Sequence, residues 1–345
     1  MTVSDLHRAG ASSRRSALSP APTAAVLAAA GFALCVGLRI GGPRVTDYVD
    51  DLGTFAAAAA ATVACVIAAL RSDPRLRRFW AVLAAALAAW TFGEGVWAVY
   101  DLVLARQAPV PSLADVGYLG GVPLVAAALL SHPGQHGSIR ERARRPLDGA
   151  IAATALLFLS WTFVLGPVWH SSDLSAAAGV VSVAYPFGDV VVVWLLLSTL
   201  RNLAGRVPSA LWAVLFGLLS MTLCDSLYTY FTVTRGYTTG NIIDVGWLVG
   251  YLAIALGACW YRSETIAERR PQVARVTAIS AAAPYLPTFL ALALIAVRTQ
   301  LGSGVDSTSL LIAFGLTGLV LTREALVLLP SRPHPVAVAG KGGPR

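Results

Sequence analysis

The chain has 345 residues, 56% of them hydrophobic and only 13% charged, with a mean hydropathy of +0.67. Soluble domains carry about 25% charged residues, so this composition excludes an ordinary soluble domain and places the chain in the membrane class. The net charge of +8 does not imply nucleic acid, because the basic residues fall in blocks between apolar runs.

A bilayer-spanning helix needs about 20 mostly apolar residues. Ten such runs are predicted, at 22–40, 52–70, 79–100, 112–131, 147–168, 178–200, 208–231, 242–261, 276–297 and 307–329. The first lacks an A-x-A-like cleavage site and is followed at once by further runs, so a retained helix is expected there and not a signal peptide. With the N-terminus in the cytoplasm, 21 of the 26 Lys and Arg residues fall on the cytoplasmic side, and only Arg39, Arg44, Arg106, Arg235 and Arg298 do not. That asymmetry predicts both termini inside, in a multi-pass protein of the plasma membrane. The expected organisation is a cytoplasmic tail at 1–21, a transmembrane unit at 22–131, an Arg-rich cytoplasmic loop at 132–146, and a second unit at 147–261. Two additional spans at 276–329 and a disordered cytoplasmic tail at 330–345 complete it. Cys35, Cys65, Cys224 and Cys259 all lie in apolar runs without C-x-x-C spacing, and read as small buried hydrophobes.

The two units look like copies of one another. Residues 71–103, "RSDPRLRRFWAVLAAALAAWTFGEGVWAVYDLV", align with 201–233, "RNLAGRVPSALWAVLFGLLSMTLCDSLYTYFTV". Allowing shifts of one or two residues, Trp80 matches Trp212, Glu94 matches Asp225, and Trp97 matches Tyr228. Further on, "PSLADVGYLGGVPL" parallels "GNIIDVGWLVGYL", with Asp115 opposite Asp244. An even number of spans per copy makes this a parallel duplication about an axis along the membrane normal.

The carboxylates gather toward the outer half. Glu94 and Asp225 lie about two turns, roughly 9–10 Å, below the outer ends of their spans. Capping cannot account for them there, and an ionisable residue in a span is a functional hypothesis by default; interhelical hydrogen bonding is the competing reading. Ser112-x-x-Asp115 and Asn241-x-x-Asp244 have the form of capping boxes, which is reason enough for those two acids. In "YPFGDVVVVW", Pro186 and Gly188 predict a broken helix, with Asp189 opening its second half. Asp50 and Asp51 read as interfacial loop charge. Trp97, Tyr100, Tyr118, Tyr185, Tyr228, Tyr230, Trp247 and Tyr251 form an aromatic ring around these acids. The candidate ligand-binding residues are therefore Glu94, Asp225, Asp189, Trp97, Tyr228, Asp115, Asp244, Tyr185 and Trp247.

Other chemistry is not indicated. The sole lysine is Lys341, and no histidine lies inside a predicted span, so neither a retinal Schiff base nor intramembrane bis-histidine haem is expected. Neither H-E-x-x-H nor G-x-S-x-G nor a Walker A motif occurs. No enzyme, cofactor or metal centre is expected; a carboxylate site with aromatic neighbours suits protons, hard cations or organic cations.

Taken together, "WTFGEGVWAVYDLV", "PVPSLADVGYL" with Pro123, "LDG" at 147–149, "YPFGDVVVV", "CDSLYTYF" and "DVGWLVGYL" resemble the polytopic N-terminal membrane region of actinobacterial GGDEF/EAL signalling proteins. The resemblance covers about residues 50–262. It implies an all-α sensor-type bundle with Glu94, Asp115, Tyr185, Asp189, Asp225, Asp244 and Trp247 among its characteristic positions. No GGDEF, EAL, PAS or kinase sequence follows in this chain. The expected function is an orphan membrane sensor for a small ligand, acting through a cytoplasmic signalling partner reached by the Arg-rich loops. The alternative is a secondary transporter or channel for a cation or small organic cation.

Overall fold

The computed structural model describes residues 20–133, parts of 147–166, 175–202, 208–234, 236–260, 286–300 and 306–328. Most of the Arg-rich loop, much of the fifth predicted run, and both tails lie outside the described residues. The described chain is helical, without strands. It forms α1 (Pro20–Leu38), α2 (Pro43–Arg71), α3 (Pro74–Ala98), α4 (Leu113–Ser131), α5 (Ala176–Asn202), α6 (Ser209–Thr234), α7 (Asp244–Trp260), α8 (Leu286–Gln300) and α9 (Ser307–Leu328). Seven of these, α1 to α6 and α9, are long and apolar enough to cross a membrane. At 17 and 15 residues, α7 and α8 are shorter; α7 reaches roughly 25 Å at 1.5 Å per residue.

Local chemistry sets the helix starts. Gly42 takes φ 87°, a conformation that suits glycine, and hands the chain to Pro43 at the first helical position. α2 therefore begins nine residues before its apolar run does. At α3, the Asp73 carboxylate accepts from the backbone N–H groups of Arg75 (2.9 Å) and Leu76 (3.2 Å), with Pro74 following. Beyond Ala98 the same helix widens into a π turn, Val99–Val103. The expected capping box at α4 is present, with Ser112 and Asp115 bonding reciprocally.

The predicted break in the sixth run does not occur. α5 runs without interruption through Pro186. A span tolerates the lost N–H where neighbouring helices and hydroxyl side chains satisfy the freed groups. Gly188 does not break it either: it is buried against Val122 of α4, and a Cβ there would stand 3.0 Å from a Val122 methyl.

Contacts divide the chain into two compact units, one of Met1–Gln135 with Leu174–Gln272, the other of His136–Asp173 with Val273–Arg345. In the first, α3 packs on α4, α6 packs on α7, and α2 contacts both α3 and α7. The core is built on small residues. Ala57, Ala58, Ala61, Cys65, Ala68 and Ala69 place a stripe along α2 that is buried against Phe79, Trp80, Leu83, Leu87, Leu218, Tyr251 and Ile254. Small side chains let backbones approach closely where lipid offers no hydrophobic drive for association. In the second unit, Ile151, Ala155, Phe158, Ala291 and Leu316 form a separate core. Arg323, counted among the cytoplasmic basic residues, is buried there in an ion pair with Asp148 at 2.8 Å.

Candidate functional site

Glu94 is reached through a close helix contact. Gly117 of α4 lies so near α3 that a Cβ on it would stand 2.6 Å from the Ala89 carbonyl oxygen. Trp90 supports the contact by donating from Nε1 to the Tyr118 carbonyl at 3.0 Å. The Tyr118 ring thereby crosses Gly93, and its hydroxyl comes within reach of the Glu94 carboxyl. A second hydroxyl comes from α7: Tyr251, fully buried, donates to Glu94 Oε1 at 2.9 Å. Glu94 is thus held by Tyr251 of α7, with the Tyr118 hydroxyl of α4 close by.

Asp225 on α6 has an analogous setting. Trp247 of α7 donates from Nε1 to Asp225 Oδ1 at 2.8 Å. The Asp189 carboxyl of α5 lies within hydrogen-bonding reach on another side. Here too a backbone approach sets the geometry, since a Cβ on Gly217 would stand 2.6 Å from the Gly250 carbonyl oxygen. Tyr228, Tyr237 and Trp247 pack edge to face, with ring centroids 4.7–6.5 Å apart.

The capping acids do more than cap. Asp115 accepts from the Ser112 backbone N–H at 2.6 Å and also from the Tyr185 hydroxyl of α5 at 2.7 Å. Asp244 accepts from the Asn241 backbone N–H at 2.7 Å and from the Tyr237 hydroxyl at 2.8 Å. Burial, reinforced by the neighbouring Asp244 carboxyl, holds the Tyr237 phenol well above its ordinary value, so it remains a donor. Eight of the nine candidates thus fall into hydrogen-bonded or aromatic clusters, around Glu94, around Asp115 and around Asp225 with Asp244, toward the end of the bundle that carries the α3–α4 and α6–α7 connections. Trp97 is half-buried and takes no part in them among the described residues. The Tyr230 side chain lies outside the described residues.

Asp50 and Asp51 are not loop charge. Both lie inside α2, 3% and 6% exposed, because that helix begins at Pro43. Asp50 accepts from the Gly240 backbone N–H at 2.7 Å and faces the Asp244 carboxyl. Asp51 meets Asp101, which the π turn of α3 carries. Sequence reasoning missed Asp50, Asp51, Asp101 and Tyr237. The Pro43 start signal was available for the first two, and none marked the π turn. Among the described residues no Lys, Arg or His forms an ion pair with any of these acids. Nor do three or more His, Cys, Asp or Glu side chains gather there in a metal-holding group.

An apolar groove of about 520 Å³ runs beside this network, lined by Phe55, Thr91, Phe92, Gly95, Val96, Val99, Tyr100, Leu104 and Leu113. No candidate residue lines it. No family model, curated protein or solved structure matches this chain.

Proposed function

We propose that the protein is a sensor-type integral membrane protein, in which a small cationic ligand competes for the carboxylates of the α3–α7 network. The change would pass to a separate cytoplasmic signalling protein through the Arg-rich loops. The single observation that carries the reading is the pairing of Glu94 and Asp225 with donors on neighbouring helices. Tyr118 occupies in "DVGY" the place of Trp247 in "DVGW", and each supplies its unit's acid from the following helix. This correspondence supports the parallel duplication, as do the matching tyrosine contacts of Asp115 and Asp244. The charge asymmetry of the loops supports ten spans with both termini in the cytoplasm, which puts the network in the outer half. The likeness to the membrane region of GGDEF/EAL proteins supports a sensing role, and no catalytic motif argues for an enzyme.

A buried network that joins α3, α4, α5, α6 and α7 suits a switch. A ligand biases it only through different affinities for its two arrangements, and displacing one aromatic donor from a carboxylate supplies such a difference. Of the two features that fit a transporter, the parallel duplication and a broken sixth span, only the first remains, since α5 is continuous through Pro186. The test is a thermal-stability screen of the full-length protein in detergent against protons, divalent metals, polyamines and other organic cations, beside the Glu94→Gln/Asp225→Asn double variant. Binding to the folded state raises apparent stability by mass action. A stabilising cation whose effect vanishes in the double variant is the expected result. A variant at least as stable as the parent, with no cation shifting either, would make these acids packing elements alone.

A further inference from the structure

Glu94 and Asp225 are supplied with donors, but another acid pair in the bundle is not. Asp51 and Asp101 approach each other within hydrogen-bonding reach. Each keeps one carboxylate oxygen, Oδ2, that is buried without a hydrogen-bond partner. Two ionised carboxylates offer four acceptor oxygens and no donor between them. The Thr54 hydroxyl, 5% exposed and one turn further along the same face of α2, is likewise buried without a partner. Mid-helix threonines usually bond back to the carbonyl four residues earlier. Thr46, Thr62 and Thr91 all do so in this bundle, and Thr54 does not.

Each neighbouring group either adds negative potential or is already committed. Asp50 and Glu94 both act electrostatically on Asp51, and no basic residue is paired with Asp51 or Asp101 among the described residues. Arg106, the nearest basic residue in sequence after Asp101, stacks on the Tyr100 ring at 5.3 Å. Asp101 sits in the π turn Val99–Val103, and such turns inside α-helices frequently occur at functional sites. Buried polar groups are otherwise nearly always satisfied, so two unpartnered oxygens on the Asp51–Asp101 pair, with a third one helical turn away on Thr54, mark a missing positive partner.

The geometry points to a hard metal cation, of the alkali or alkaline-earth class, bound by the carboxylates of Asp51 and Asp101 with the hydroxyl of Thr54. All three groups present oxygen, the donor such ions prefer, and water can complete their coordination. The inference goes beyond the sensor reading and does not require it, because none of its three residues belongs to the Glu94–Asp225 network.

The test uses the full-length protein in detergent with NaCl, KCl, MgCl2 or CaCl2, each titrated at constant ionic strength and pH against choline chloride. One of the four salts is expected to raise the melting temperature saturably. Its half-saturation point should move up by about tenfold or more in Asp51→Asn and in Asp101→Asn. An asparagine amide can donate to the remaining carboxylate, so these variants keep the pair satisfied and folded. Thr54→Val should weaken the effect and Thr54→Ser should retain it, which separates ligation from packing. Glu94→Gln/Asp225→Asn removes part of the surrounding negative potential and should move the half-saturation point by less than Asp51→Asn or Asp101→Asn does. A shift lost in that double variant but intact in Asp51→Asn would overturn this site while sustaining the sensor site. No distinction among the four salts, with stability following pH alone, would also overturn it and leave a proton shared by the two carboxyls.

Discussion

Replacing Tyr251 by Phe removes one oxygen from the centre of the bundle and little else. The ring keeps its edge-on contact with Trp90, centroid to centroid at 6.4 Å. What disappears is the 2.9 Å donation to Glu94. Tyr251 is 1% exposed, so water does not readily replace the lost hydroxyl. A hydrogen bond to a charged group contributes about 1.5–3 kcal/mol in soluble proteins, whereas side-chain couplings inside membrane proteins average about 0.6 and reach about 1.7 kcal/mol. A cost of about 1–2 kcal/mol is expected. Glu94→Gln retains an acceptor oxygen but turns an amide toward one of its two tyrosine oxygens, and should fall within about 1 kcal/mol of the parent. With Glu94→Gln as background, Tyr251→Phe should cost less, leaving a coupling of about 1 kcal/mol in the double-mutant cycle. Equilibrium unfolding in mixed micelles, followed by tryptophan fluorescence, reads all four proteins. Equal costs in the two backgrounds would mean that the Tyr251 hydroxyl does not serve Glu94, and the interlock described above would be wrong.

His132, just past the end of α4, lies edge-on to Phe79 at 5.2 Å, and burial pushes its pKa from 6.5 down to about 4. Because the unfolded chain binds the proton more readily, stability is full above about pH 6.5 and falls as pH drops toward 4, by about 3 kcal/mol in all; His132→Phe should flatten that slope in pH-dependent unfolding. Gly117→Val should destabilise by about 1–3 kcal/mol or more by driving a side chain onto the Ala89 carbonyl, whereas Gly120→Ala, which meets nothing within 4 Å, should be neutral or slightly stabilising in the same assay. In the second unit, Asp148→Asn removes one of the two carboxylates paired with the 3%-exposed Arg323, leaving Glu324 as the other, at a cost of about 1–3 kcal/mol. Asp148→Leu/Arg323→Met should recover most of that in thermal unfolding.

What could be read from the sequence was local or periodic. The apolar runs foretold the positions of α1 to α9 because hydropathy over about 20 residues needs no tertiary knowledge. Ser112-x-x-Asp115 announced its capping box because both partners sit within one turn. Aligning the two units put Tyr118 opposite Trp247, but not what they do, since donation to Glu94 or Asp225 depends on how closely two backbones approach. Asp51 was misread for a different reason. A hydropathy window starts a span where polar residues stop, at 52, whereas the helix starts where Gly42 and Pro43 allow it. Pro186 misled because proline breaks helices in water, where freed carbonyls find solvent, more readily than inside a bundle. Asp101 owes its place to a π turn, and five residues of unremarkable composition do not announce one.

The tyrosine interlock also sets an order of events during synthesis. Tyr118 follows Glu94 by 24 positions in the chain, whereas Tyr251 follows it by 157. At about 5–20 residues per second, the second hydroxyl is made roughly 10–30 s after the acid. For that interval α3 and α4 form a hairpin in which Tyr118 alone serves the carboxylate, and the small-residue contact at Gly117 becomes the condition for keeping Glu94 off the lipid. Variants that weaken the α3–α4 contact therefore expose a nascent chain to quality control before α7 exists, and their yield in cells will fall further than the stability of the finished protein suggests.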